Sequence, residues 1–258
     1  QLSEGTWLKF ATGQEGIFRI GYSELVASGV NPDTLIFSDL QLYGNGGRML
    51  PFDNDTDRPL DLPLLKVETQ GEEDGVFNSE DAIFFHSSGV DSWNWNGSSE
   101  RWSHEKHNWS DSAYYYLRID GPSNLIGSRI DNPIANNLPI SQEWSTHLAR
   151  RFHEVESQNI AQSGREFYGE HFTYLGSQIY GFSFNIPNLV GDTGWVDARI
   201  AGRTLGATSD FTLLCNGEES QTSDISLSES SLLLAQKRNL SIAVEMPGDG
   251  IDVQLSFA

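Results

Sequence analysis

The sequence predicts a mostly β protein with two β-rich domains, the second of which is an antiparallel β-sandwich. Five segments of the C-terminal half alternate apolar and polar residues with period two, and Gly, Pro, Asn and Asp separate them. Such alternation is typical of antiparallel sheets with one buried face, and two such sheets stack into a sandwich. A length of 258 residues is enough for two domains with separate cores. We place these domains at residues 1–138 and 139–258.

The N-terminal domain is expected to contain short strands and one short helix. The apolar runs Trp7–Ala11 and Ile17–Ile20 flank a turn of about five residues and predict a hairpin. Apolar residues at helical spacing from Tyr22 to Val26, followed by Gly29, predict the helix. Further strands are predicted at Asp39–Tyr43, Leu64–Thr69, Asp81–His86 and Tyr114–Ile119.

Two turns of this domain are rich in glycine. The three glycines within Gly44–Gly47 either bind an anion through backbone N–H groups or form a turn that requires positive φ. No helix with a Lys-Ser/Thr pair follows, so we favour the turn. The polar turn Gln70–Gly75 is expected to point its side chains to solvent.

An acidic loop alternates carboxylates at Asp53, Asp55 and Asp57. Calcium takes six to eight oxygen ligands, and closely spaced acids on a loop can supply several of them. Arg58 stands where a calcium loop has glycine, which favours a solvated acidic loop instead. Structural calcium at these three residues is the only cofactor that the sequence suggests.

The segment Ser87–Ser112 is polar and rich in tryptophan. Its aromatic rings either form a flat platform on which sugars stack or pin a long loop to the core. The candidate ligand-binding residues are Trp93, Trp95, Trp102 and Trp109. His104 and His107 are three residues apart without helical periodicity, so a zinc-protease helix is not predicted.

The C-terminal domain opens with connecting segments. Asp120–Pro139 has the composition of a linker, Glu143–Glu156 alternates like a linking strand, and Ser157–Gly164 predicts one short helical turn. The five sandwich strands follow. Their predicted cores are Tyr180–Ile186, Val196–Ile200, Phe211–Cys215, Leu240–Met246 and Ile251–Phe257.

Composition excludes several classes of function. The chain has 36 acidic and 16 basic residues, a net charge of −20, so it would repel nucleic acid over most of its surface. No run of about eighteen apolar residues is present, so no membrane span is predicted. The single cysteine excludes an intrachain disulfide and a cysteine zinc cluster. No basic-then-apolar leader precedes Gln1, which fits a secreted protein after signal-peptide removal.

No catalytic motif is visible in the sequence. Cys215 has the parity of the buried face of its strand, so we interpret it as a small core residue rather than a nucleophile. The serine nucleophile elbow, the dinucleotide fingerprint and the phosphate loop are all absent. We therefore predict no enzymatic activity for these 258 residues and assign no catalytic or cofactor-binding residue.

Several stretches resemble the PorU-like sortases of type IX secretion, which belong to the gingipain-type cysteine peptidases. The matching stretches are Gly16–Ile20, Leu40–Pro51, Gly71–Phe85, His107–Leu117 and Ser157–Gly169. The last of these is similar to the segment that precedes the final β-domain before the catalytic domain of those enzymes. The resemblance covers most of the chain and contains none of the catalytic motifs of the family.

The resemblance implies an N-terminal, non-catalytic scaffold or docking region of a sortase that processes the C-terminal signal domain of exported cargo. The implied catalytic domain lies downstream of residue 258 in the same chain. The implied partners are that domain, cargo signal domains and secretion-system proteins, at the outer-membrane surface of a Gram-negative bacterium. The alternative is an extracellular β module that binds carbohydrate or resembles a calcium-stabilised adhesin.

Overall fold

The computed structural model describes residues 2–122, 129–130, 145–160, 162, 164, 166–173, 178–191, 193–221, 225–246 and 248–257. The chain divides into two compact units, Gln1–Pro139 and Ile140–Ala258. Every strand ladder in both units is antiparallel. The predicted mostly β fold class is confirmed. No helix of the described residues has the length and apolar character needed to cross a lipid bilayer.

The first unit is built from eight described strands and one short α-helix. In chain order these are β1 (Trp7–Thr12), β2 (Glu15–Gly21), α1 (Tyr22–Ala27), β3 (Gln41–Tyr43), β4 (Glu68–Gln70), β5 (Ala82–Ser88), β6 (Ser92–Asn96), β7 (Arg101–Glu105) and β8 (Ala113–Arg118). They form two three-stranded sheets, β1-β8-β3 and β2-β5-β4, and the two-stranded hairpin β6-β7.

One hydrophobic cluster lies within the first unit, and both three-stranded sheets contribute to it. Ile83 and Phe85 come from β5, Tyr115 and Leu117 come from β8, and Leu25 comes from α1. All five are at most 2% exposed. Tyr115 and Leu117 share the buried face of β8, because residues two apart on a strand point to the same side.

The predicted hairpin of the first two strands is wrong. β1 pairs with β8, so that Leu8 lies opposite Leu117, and β2 pairs with β5, so that Phe18 lies opposite Phe85. Each strand thus belongs to a different sheet. The predicted helix is confirmed as α1, where the Glu24 carboxylate accepts a hydrogen bond from the Gly21 N–H at 2.9 Å.

The polar turn after β4 does not point entirely to solvent as predicted. Glu72 is half-buried and its carboxylate pairs with Arg129, with Nε at 2.9 Å from Oε2. The predicted linker 120–139 lies largely outside the described residues. Within it, Arg129 forms a parallel bridge with Val67, and the Ile130 N–H donates to the Val67 carbonyl at 2.9 Å.

The second unit contains six described strands in two sheets. They are β9 (Gln178–Asn185), β10 (Thr193–Gly202), β11 (Phe211–Cys215), β12 (Glu218–Gln221), β13 (Gln236–Glu245) and β14 (Gly250–Phe257). The first sheet has the order β12-β11-β14-β9, and the second is the pair β10-β13. Five of these strands match the predicted segments, whereas β12 was not predicted.

Inward residues of both sheets meet in one hydrophobic cluster, as a β-sandwich requires. Leu213 and Val253 come from the four-stranded sheet, and Ile200, Leu240 and Val244 come from the pair β10-β13. On β14, Asp252 and Gln254 are exposed, whereas Ile251 and Val253 are buried and Leu255 is half-buried. The alternation that predicted the sandwich thus correctly identifies its buried face.

The predicted segments before the sandwich are wrong in their described parts. Residues 145–157 form no strand, and the apolar side chains of Leu148, Phe152 and Val155 in this range are 44–66% exposed. Residues 157–164 form no helix where described; the backbone of Gln158 instead pairs with Tyr168 in an antiparallel bridge. Ala161 and Ser163 lie outside the described residues.

Candidate functional site

The tryptophan-rich segment contains a β-hairpin rather than only a polar loop. In β6-β7, Trp95 lies opposite Trp102 and Trp93 lies opposite His104. Directly opposed side chains of an antiparallel pair share a face, as do residues two apart on one strand. These four rings therefore occupy one face of the hairpin, with centroid distances of 5.3 Å for the Trp95–Trp102 pair and 4.9 Å for the Trp93–His104 pair.

The hairpin turn is fixed by the Asn96 side chain, whose Oδ1 accepts hydrogen bonds from the N–H groups of Ser98 at 2.9 Å and Ser99 at 3.3 Å. Near this turn Trp95 is 46% exposed, whereas Trp93 and Trp102 are half-buried. Three of the four candidate tryptophans therefore share this face, with Trp95 the most exposed, and the Trp95 and Trp102 ring planes are tilted by 55°. Sugar binding at these residues stays a prediction.

Trp109 lies on the loop after β7, outside the hairpin face that the other three tryptophans share. Its ring meets the Phe52 ring edge to face, with the centroids 5.5 Å apart, and Trp109 and Phe52 are 59% and 51% exposed. His107 Nδ1 accepts hydrogen bonds from the N–H groups of Trp109 at 3.1 Å and Ser110 at 3.0 Å. Because Nδ1 accepts, the neutral imidazole carries its proton on Nε2.

Two depressions adjoin this loop. The larger has a volume of about 400 Å³, and the smaller has a volume of about 280 Å³. Residues around the larger one include Arg48, Leu50, His107, Trp109, Tyr114 and Tyr116. We call these six residues, together with Phe52, the aromatic surface. Its tyrosines alternate with the buried Tyr115 on β8, so they face outward.

The charge of the aromatic surface differs from that of the chain as a whole. No carboxylate is among the described residues that line the larger depression, and Arg48 lines both depressions. Lys9 adds a further cation, with its Nζ 3.7 Å from the centroid of the Tyr114 ring. The smaller depression includes Glu105, whose Oε2 accepts a hydrogen bond from Asn94 Nδ2 at 3.3 Å. The larger depression is thus suited to an anionic or neutral ligand.

The acidic loop lies next to the aromatic surface in sequence. Asp53, Asp55 and Asp57 are all exposed, and the Asp53 carbonyl accepts a hydrogen bond from Arg58 Nη2 at 2.7 Å. Within the described part of the chain, no three His, Cys, Asp or Glu side chains are grouped as a metal site requires. The calcium site stays a prediction, which a calcium titration of the melting temperature would test.

Cys215 lies at the end of β11 in the core of the second unit. It is 0% exposed and is surrounded by the apolar cluster that includes Leu213 and Val253. Burial raises the pKa of its thiol to about 11. A thiol in this environment is protonated at neutral pH and inaccessible to a substrate, which agrees with its interpretation as a core residue.

Three exposed side chains were not predicted as candidate site residues from the sequence, namely those of Arg48, Phe52 and Trp195. Phe52 and Arg48 lie in a stretch with no periodicity, so the sequence contains no signal for their position beside Trp109. Trp195 is different, because Val196, Ala198 and Ile200 were assigned to the buried face of β10. Trp195 has the opposite parity to these residues, which places it on the outward face, and its 55% exposure agrees with this.

The crystal structure of dimeric latent PorU from Porphyromonas gingivalis is similar to this chain, with a TM-score of 0.70 and 23% sequence identity. The similarity covers 100% of this chain and 23% of the PorU chain, so the chain spans about a quarter of that protein. No protein-family model matches the chain, and no curated protein matches it either. At this level of identity the similarity to PorU establishes a shared fold.

Proposed function

We propose that this chain is the N-terminal, non-catalytic docking region of a PorU-like sortase at the outer-membrane surface of a Gram-negative bacterium. The observation that carries the proposal is the fold similarity to PorU over 100% of the chain. The sequence stretches that resemble PorU-like sortases point to the same family. In this proposal a catalytic domain downstream of residue 258 cleaves the signal domain of exported cargo.

The proposed absence of catalysis rests on the environment of Cys215. A cysteine peptidase needs a thiolate beside a histidine that acts as a base. Cys215 is instead buried among apolar side chains, and burial raises its pKa to about 11. Peptide hydrolysis is therefore assigned to another part of the proposed sortase, and this chain contributes binding.

The proposed docking surface is the aromatic surface of the first unit. Exposed aromatic residues beside a concave depression are typical of the energetically important centre of a protein interface. Phe52 and Trp109 supply such an edge-to-face pair, and both are more than half exposed. The proposed partners are cargo signal domains, secretion-system proteins or the downstream catalytic domain.

Titration of the 258-residue chain with a purified cargo signal domain, followed by calorimetry, tests this proposal. We expect saturable binding, no cleavage of the cargo domain, and binding about tenfold weaker for Trp109→Ala. Ile17→Ala is the matched control, because Ile17 is an exposed apolar residue of β2, at 69%. Cleavage of the cargo domain by the wild type or by Cys215→Ala, or equal effects of Trp109→Ala and Ile17→Ala on binding, would contradict the proposal.

Carbohydrate binding at the hairpin is the second candidate function. The observation in its favour is the Trp95–Trp102 pair, in which the exposed Trp95 offers a flat apolar face. Glycan-array screening of the wild type and Trp95→Ala would decide this. Selective glycan binding lost in the variant would support this function, and an unchanged response of both proteins would eliminate it.

A further inference from the structure

Arg48 lies between the two depressions of the aromatic surface and makes no hydrogen bond or ion pair with any described residue. We infer that the larger depression binds a polypeptide segment in which a carboxylate neighbours an apolar side chain, with Arg48 as the carboxylate ligand. This inference rests on the proposed docking function and specifies the chemistry of the docked partner.

Arg48 is distinguished by its position, because it lines a depression in which no described lining residue is a carboxylate. The chain has 36 acidic residues against 16 basic ones, and some of its arginines pair with a carboxylate. Arg19 pairs with Glu24 at 3.5 Å and Arg118 pairs with Asp120 at 3.1 Å. Since the lining of the larger depression contains no carboxylate, the Arg48 guanidinium is available for one supplied by a ligand.

The remaining lining favours an apolar side chain next to that carboxylate. Leu50 and Leu62 are aliphatic, and Trp109, Tyr114 and Tyr116 add ring surface. The depression has a volume of about 400 Å³ and is open to solvent, so it would cover one side of a bound segment. An apolar side chain placed against this lining would be partly removed from water, which favours binding.

Two polar groups of the lining are already hydrogen-bonded within the protein, which disfavours a saccharide at their positions. Sugar hydroxyls require many hydrogen-bond partners, but Asn45 Oδ1 already accepts from the Gly47 N–H at 3.2 Å. The Ser110 hydroxyl donates to the Ser112 carbonyl at 2.8 Å and accepts from its N–H at 3.2 Å. One guanidinium beside apolar surface therefore matches an acidic side chain flanked by an apolar one.

The test uses two N-acetylated, C-amidated peptides with the cores Leu-Asp-Phe and Leu-Asn-Phe. They differ only in that the first has a carboxylate where the second has an uncharged amide. NMR reports binding through the indole N–H of Trp109, which Trp109→Phe assigns. We expect the Asp peptide to bind about tenfold more tightly than the Asn peptide. The difference should shrink as salt is raised, because the charge contact is exposed to solvent.

Arg48→Gln should abolish the difference between the peptides, and Arg48→Lys should restore part of it. Arg203→Gln is the matched control, because Arg203 is another exposed arginine without a partner among the described residues. Both variants should keep the wild-type melting temperature, since neither guanidinium bonds to the fold.

Equal binding of the two peptides, or an unchanged difference in Arg48→Gln, would overturn the inference while leaving the docking function intact. Failure of both peptides to shift the Trp109 signal would also overturn it. The proposed docking function is judged separately by the cargo-domain titration, so the two failures are distinguishable.

Discussion

Arg129 and Glu72 form a two-pronged ion pair across 57 residues of the chain. Arg129 Nε donates to Glu72 Oε2 at 2.9 Å, and Nη2 donates to Oε1 at 3.0 Å and to the Phe37 carbonyl at 2.8 Å. The Arg129 guanidinium thus connects the turn after β4 to a 3₁₀ turn whose first residue, Phe37, is part of the core. This geometry gives the pair more specificity than a single charge contact would have.

The pair predicts a pH dependence of stability. Burial alone would raise the pKa of the Glu72 carboxyl, but hydrogen bonds from Arg129 and Thr69 outweigh it and hold that pKa below its usual 4.5. Because this pKa is lower in the folded state than in the unfolded state, the charged Glu72 contributes its full stabilisation above pH 4.5. This stabilisation is lost as the pH falls further through the folded-state pKa. Glu72→Gln should therefore cost about 1 kcal/mol at pH 7, a value limited by solvent screening, and less in acid.

Urea unfolding at several pH values checks this expectation. Glu73→Gln is the control, because Glu73 is the exposed neighbour of Glu72 in the same turn. A Glu72→Gln cost that stays constant from pH 7 to about pH 3 would contradict the assigned role of the ion pair.

Gly71 and Gly75 flank the same turn, and we expect replacement of each by alanine to lower the free energy of unfolding by different amounts. Both adopt positive φ, +85° and +80°, which disfavours any side chain. A Cβ at Gly71 would lie 1.7 Å from Oδ1 of the buried Asp81, whereas nothing lies within 4 Å of one at Gly75. Gly75→Ala should cost about 1 kcal/mol, and Gly71→Ala about 2–4 kcal/mol.

The excess cost has an identifiable cause. Asp81 Oδ2 accepts a hydrogen bond from the Asn78 N–H at 2.7 Å, and displacement of Asp81 would break it. Thermal unfolding of the two variants measures the difference directly. Equal melting temperatures would show that Asp81 moves without penalty.

Cys215 is expected to be unreactive in the folded protein. Its 0% exposure and its thiol pKa of about 11 both suppress attack on a disulfide reagent. At pH 8 labelling should become rapid only in denaturant, which a chromogenic thiol assay follows. Cys215→Ser should also destabilise by about 1–3 kcal/mol, since it buries a hydroxyl among apolar side chains. Rapid labelling without denaturant would contradict this placement.

Trp195 and Val196 are neighbours on β10 that face opposite ways. Val196 packs against the sandwich core, and Trp195 is 55% exposed opposite Ala243. Val196→Ser should cost about 2 kcal/mol. Trp195→Ser should cost no more than about 1 kcal/mol. Chemical unfolding of both variants tests this, and a larger loss for Trp195→Ser would mean that β10 is placed with the wrong face inward.

Local patterns predicted where most strands lie but not which strands pair. Trp7–Ala11 and Ile17–Ile20 were correctly recognised as strands, yet each pairs with a partner far along the chain rather than with the other. A short turn makes a hairpin the pairing with the lowest cost in chain entropy, but Phe18 instead lies opposite Phe85 in the β2-β5 pair and packs against it. Similarly, Glu143–Glu156 alternates like a strand, but its described residues have no ladder partner.

The sequence by itself determined the mostly β class, the helix α1 and the buried face of the five predicted sandwich strands, because period-two and helical spacing record which side chains leave water. Only the tertiary structure decided that Trp93, Trp95 and Trp102 share one face, that Arg129 reaches Glu72, and that Arg48 lines both depressions beside Trp109. The Arg129–Glu72 pair and the Arg48–Trp109 lining join residues distant in sequence, and the shared tryptophan face depends on the register of β6-β7. Their free energies come from packing and charge pairing in the folded chain, and no local pattern contains them.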